Sequence, residues 1–126
     1  MAGTFKDISR KWEKGDKIEI TFDMKCNLID APATGSNPES KYFQALIFGP
    51  IVLSRDENVD QDYDQPVQVI SDKNRIVNIK QVKPVLNSTR MEFLVPTTEG
   101  EIRMCDYASV DSWEGKKICT WLPMRR

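Results

Sequence analysis

Asp60, Asp62 and Asp64 place three carboxylates on alternate residues, the opening rhythm of a calcium loop. Such side chains can converge on a hard cation, which takes about six to eight oxygen ligands. Asp56, Glu57 and Asn58 add oxygens just upstream. The rest of the calcium-loop pattern fails, because Gln65 stands where the tight turn needs Gly and Ser71 where a closing Glu belongs. The stretch is therefore expected to be a solvated acidic loop, with calcium at Asp60, Asp62 and Asp64 as the alternative. A second chemistry is offered by Trp113. It sits in a polar stretch between Asp111 and Glu114, where an exposed indole could stack on the C–H face of a sugar while carboxylates take the hydroxyls. Trp121, in a strand-like stretch, is expected in the core, and Trp12 at an edge, since large aromatics more often pack.

Other chemistries are disfavoured by what the chain lacks. It has no histidine, hence neither the commonest general base nor the commonest metal ligand. Its three cysteines, Cys26, Cys105 and Cys119, are widely spaced and form no C-x-x-C pair. They are expected to be buried free thiols, with a Cys105–Cys119 disulfide as the alternative in an oxidising compartment. Glycoside hydrolysis needs an acid and a base about 5–10 Å apart, but 19 acidic residues will produce such pairs by chance. With 18 basic residues and a net charge of −1, no basic surplus points to nucleic acid or anionic lipid. No apolar run reaches the roughly 18 residues of a membrane helix, and no signal-peptide segment opens the chain. No cofactor is implied.

The elements that would position these groups are short strands. The 126 residues suggest one domain. Lys17 to Met24 alternates strictly, with Ile18, Ile20, Phe22 and Met24 on one face and charged or polar residues on the other. Together with Thr4 to Trp12 and a turn at Glu13 to Asp16, it reads as an antiparallel hairpin. Tyr42 to Ser54 is the longest uncharged apolar run and is expected to be one central strand, kinked at Gly49-Pro50. Further short strands are expected near Arg75–Val82, Met91–Val95, Glu101–Tyr107 and Ile118–Leu122, and Pro66–Ser71 is expected to be a short strand or an irregular edge segment. The total of roughly eight to nine strands, without any helical period, means an all-β fold, a two-sheet antiparallel sandwich of jelly-roll-like character.

Three stretches carry a resemblance. Ile8-x-Arg10-x-Trp12 runs into Gly15-Asp16, Ala45 to Leu53 contains Gly49-Pro50, and the chain closes on Ile118-Cys-Thr-Trp-Leu-Pro123. The first two resemble, in this order, stretches of the C-terminal β-sandwich region of the bacterial β-L-arabinofuranosidase family, glycoside hydrolase family 127. Ile51 replaces that family's usual Leu. The resemblance implies that residues 1–126 are one β-sandwich domain excised from the C-terminal part of a larger glycoside hydrolase. Such a domain is not an enzyme on its own. It packs against and supports an (α/α)6 catalytic barrel, and an independent carbohydrate-binding module is the alternative role. The family's cysteine- and glutamate-held zinc lies in the barrel, so no catalytic residue carries over. The matching residues Trp12, Gly15, Asp16, Gly49 and Pro50 are structural positions. The implied partners are the barrel of the parent chain and, in the alternative, carbohydrate. The implied parent is a secreted or periplasmic bacterial protein, in which Asn87-Ser88-Thr89 reads as a turn rather than a glycosylation site.

Overall fold

Gly49-Pro50 is a turn, not a kink. The computed structural model, which describes residues 3–5, 7–32, 38–85, 90–110 and 117–125, divides the central apolar run into two antiparallel strands there. These are β2 (Phe43–Phe48) and β3 (Ile51–Asp56), paired Phe48 to Ile51 and Ile47 to Val52. Gly49 has φ 57°, and Pro50 follows with its ring-fixed negative φ. Positive φ at the first central residue followed by negative φ at the second is the φ pattern of a type II′ hairpin turn. The expectation of a single kinked strand left out this turn. At the second position of this turn Pro is already in the required conformation.

The remaining strands are β1 (Cys26–Asp30), β4 (Ile76–Val77), β5 (Lys80–Val82), β6 (Glu92–Thr97), β7 (Gly100–Asp106), β8 (Ile118–Cys119) and β9 (Leu122–Pro123). Every strand pairing is antiparallel, in the order β4-β1-β2-β3-β7-β6-β5, with β8 on β3 and β9 on β2. The fold is all-β, as the strand spacing predicts, and no described helix is long and apolar enough to cross a membrane.

The sheet curls back on itself. β3 is the joint, bonded to β2 at Ile51–Val52, to β7 at Leu53–Ser54 and to β8 at Arg55–Asp56. On the far side, Val67 bridges Met124 next to β9, and Val69 bridges Thr97 at the end of β6. Backbone bonds from Val67 to Pro123, from Ile70 to Pro96 and from Thr98 to Gln68 hold that closure. The circuit β2-β3-β7-β6-(67–69)-β9 is therefore complete, which gives a sandwich-like enclosure around one core. Leu28, Leu46, Leu53, Val69, Val77, Phe93, Val95, Met104 and Leu122 fill it. Phe48 meets Phe93 edge to face at 5.3 Å.

Pro96 lies inside β6, where the sequence reading ends the strand. It is tolerated because its carbonyl accepts a bond from Ile70 and the position asks no donor of it. The greater departure is at the start of the chain. The turn at Glu13 to Asp16 forms, but neither Thr4–Trp12 nor Lys17–Met24 is paired into a strand. Phe5 stands an odd number of residues from both Ile8 and Trp12, so a strand there would put it on the opposite face from them. Lys17 to Met24 has the right period but no adjacent strand.

Candidate functional site

The first motif of the resemblance builds a small interlocked turn. Gly15 takes φ 92°, which a β-carbon would disfavour. The chain then reverses so that the Asp16 amide bonds to the Glu13 carbonyl at 3.1 Å. The Asp16 carboxylate accepts from the Glu13 amide at 2.8 Å and pairs with Arg10 at 3.4 Å. The Arg10 guanidinium in turn lies 5.3 Å from the centre of the Trp12 ring. Arg10, Trp12, Gly15 and Asp16 thus act together, which gives the spacing of the motif a physical reason. Trp12 remains 48% exposed in this arrangement.

The turn heads an arm whose apolar side chains are in water. Ile18, Ile20 and Phe22 are 56%, 69% and 74% exposed, and Phe5 and Ile8 are exposed as well. Among the described residues, nothing bonds to the backbone of Lys17 to Phe22. The arm meets the sheet at its end, where the Gly49 amide bonds to the Lys25 carbonyl and Met24 lies against Gly49.

The acidic loop is more committed than a solvated run. Asp60 is held by Arg55, whose Nε and Nη2 both lie 2.7 Å from Oδ2, while Oδ1 accepts the Asp62 amide at 3.0 Å. Arg55 also bonds to the Gln65 carbonyl at 3.1 Å and is buried. Asp62 and Asp64 are exposed, and Asp64 accepts from Gln65. Among the described residues, no three acidic, cysteine or histidine side chains come together as a metal site would need. Asp111, Trp113 and Glu114 lie outside the described residues, as does Asn87-Ser88-Thr89. Trp121 stands in the bend between β8 and β9 and is 44% exposed, contrary to its expected place in the core; its neighbour Leu122 takes the buried position.

Beside the acidic loop an open groove of about 740 Å³ is lined by Arg55, Asp62, Gln65, Glu99, Glu101 and Arg125, among others. Glu99 is paired with Arg125 across it.

An ion-pair network, missed by the sequence reading, joins β3, β6 and β7. Arg90 Nη1 bonds to Asp56 Oδ2 at 3.1 Å, and Arg90 Nε lies 3.7 Å from Glu92 Oε2. Arg103 Nη1 reaches Glu92 Oε1 at 2.8 Å, and the Val85 amide bonds to Glu92 Oε2. Asp56 Oδ1 accepts twice from Asn58. Asp56 and Glu92 are fully buried. The only sequence signal was a charge ending the apolar run at Arg55-Asp56, which reads equally well as a loop starting.

The three thiols are free. Burial pushes both Cys26 and Cys105 up to about 11, and Arg90 only partly offsets this at Cys105. Burial also raises Cys119. Near neutral pH these are neutral packing groups, unsuited as nucleophiles. Comparison of the chain with family models, with curated proteins and with solved structures finds no match.

Proposed function

We propose that this chain is a non-catalytic β-sandwich module of a bacterial glycoside hydrolase, packed against an (α/α)6 catalytic barrel in the same protein and supporting it. The observation that carries this reading is the exposed apolar face of the N-terminal arm. Ile18, Ile20 and Phe22 share one side of a strictly alternating segment, and the closed core has no place for them. Burying each would contribute about 1.5–3 kcal/mol, and such a face on an otherwise complete domain suits an interaction surface. The motif residues Arg10, Trp12, Gly15 and Asp16 fix the turn that heads the arm, so the resembling stretch is the one that would meet the barrel.

Reading the gene upstream of the Met1 codon tests the proposal. An open frame encoding a helical barrel is expected. An in-frame stop codon there, with no barrel encoded beside it, would overturn the reading.

A further inference from the structure

The apolar face of the arm is one resource, and its backbone edge is another. Lys17 to Asp23 leads through Met24 and Lys25 into β1, and Lys25 lies opposite Gly49 in the β2–β3 turn; among the described residues nothing bonds to the backbone of Lys17 to Asp23. The unpaired amides and carbonyls of such a segment are a template for another strand.

The side chains on the polar face restrict what that strand can be. In an antiparallel pair, residues directly opposite share a face, so apolar residues meet only when the numbers of opposed residues sum to an even value. Let the segment face a second copy of itself. A sum of 40 sets Lys17 against Asp23 twice, Glu19 against Thr21 twice, Ile18 against Phe22 twice and Ile20 against Ile20. A sum of 38 puts Glu19 against Glu19, and a sum of 42 puts Glu19 against Asp23 and Lys17 against Lys25. Like charges directly opposite are destabilising. A sum of 36 opposes Lys17 and Glu19 but carries the ladder into the Gly15 turn and shortens it. A sum of 44 opposes Glu19 and Lys25 but draws on Lys25, whose carbonyl is already bonded to the Gly49 amide. The sum of 40 is the register that combines full length and matched charge within Lys17–Asp23 itself. Among the described residues Asp23 pairs with Lys25 alone, at 3.5 Å and exposed, which leaves it available for a second partner.

We propose that two copies of this chain associate about a two-fold axis at Ile20, pairing Lys17–Asp23 with Lys17–Asp23 as antiparallel strands. The contact is isologous. It places two Ile18-Ile20-Phe22 rows side by side on one face, which leaves that face for the packing role. The association itself is a property of this chain alone and does not depend on that role. Seven residues a side make a small interface, of the class that buries under about 1,200 Å² and associates weakly.

Sedimentation equilibrium of the whole chain over a wide concentration range tests the pairing. A monomer–dimer equilibrium is expected. Lys17→Asp and Asp23→Lys are each expected to weaken it by at least about tenfold, since each puts like charges opposite, and the double swap is expected to restore it. Circular dichroism and the thermal midpoint should stay unchanged in all three, because both positions are exposed. A register test stands beside these: Ile20→Cys should form a disulfide-linked dimer under mild oxidation, whereas Ile18→Cys, which faces Phe22, should not. A chain monomeric at every concentration overturns the proposal. So does a dimer indifferent to the single swaps or not restored by the double swap, and so does cross-linking that is as efficient from position 18 as from position 20. None of these outcomes depends on what the gene encodes upstream, so the two proposals fail separately.

Discussion

A β-carbon on residue 49 would lie 2.4 Å from Met24 Sδ and 2.5 Å from its terminal methyl carbon. The methionine end can swing away, so that clash is the smaller part of the cost. The larger part is the backbone, since φ 57° is closed to β-branched residues. Gly49→Val is expected to destabilise the fold by about 2 kcal/mol or more, read as a shift in the urea midpoint at unchanged slope. Combining it with Met24→Ala should recover only a minor fraction, which separates strain from collision. An unchanged midpoint would mean that the turn does not hold this conformation. The importance of Gly49 was legible in the sequence, because Gly in an apolar run marks a special backbone position. Its kind was not legible, since a kink and a II′ turn ask for the same residue. Only the partner across the turn, Phe48 against Ile51, decides between them.

At the scale of elements, the network joining β3, β6 and β7 is the most demanding contact. Arg90 is buried, and its Nε and Nη2 have no hydrogen-bond partner among the described residues. Charges in this setting are poor evidence of net stability, but removing one partner leaves the others stranded. Among the described residues, Arg90→Ala strips Asp56 of its one cationic partner and leaves Glu92 with Arg103 and the Val85 amide. A loss of about 3–5 kcal/mol is expected on equilibrium denaturation. A loss under about 1 kcal/mol would show that water replaces the guanidinium readily. Sequence reading could not have assembled this network, because Asp56 and Arg90 are distant in the chain and charge patterns ordinarily mark surface. Strands were more legible than their pairings. Glu101 to Tyr107 alternates and became β7, extended to start at Gly100, because β3 and β6 flank it. Lys17 to Met24 alternates more strictly and stayed unpaired, because period specifies a face and says nothing of what lies along the edge.

For the molecule as a whole, the core begins at Cys26, and two of the groups sealed in it set an upper pH limit. Below an ordinary thiol value of 9.0, Cys26 and Cys105 are neutral in both the folded and the unfolded chain. Above it the unfolded chain ionises first, while the folded thiols hold their protons to about 11. Stability should therefore fall as pH rises through that window. The Cys26→Ala, Cys105→Ala double variant should show a shallower fall between about pH 9 and 11, and an identical slope would show that the thiols do not carry it. The complementary question is what the fold can do without. Among the described residues every buried apolar side chain lies at or beyond Cys26, and the strand circuit closes through residues 67–69 and β9 without help from the arm. Removing residues 1–23 keeps Met24 against Gly49, and what it takes away of the described residues is exposed side chains and the Glu13–Asp16 turn. The shortened chain is expected to unfold in a single cooperative transition, within about 1 kcal/mol of the full chain, with its solubility improved by the loss of Phe5, Ile8, Ile18, Ile20 and Phe22. A fall of several kcal/mol would show that the arm packs on the core in solution, and would remove both the free face and the free edge on which the two proposals stand.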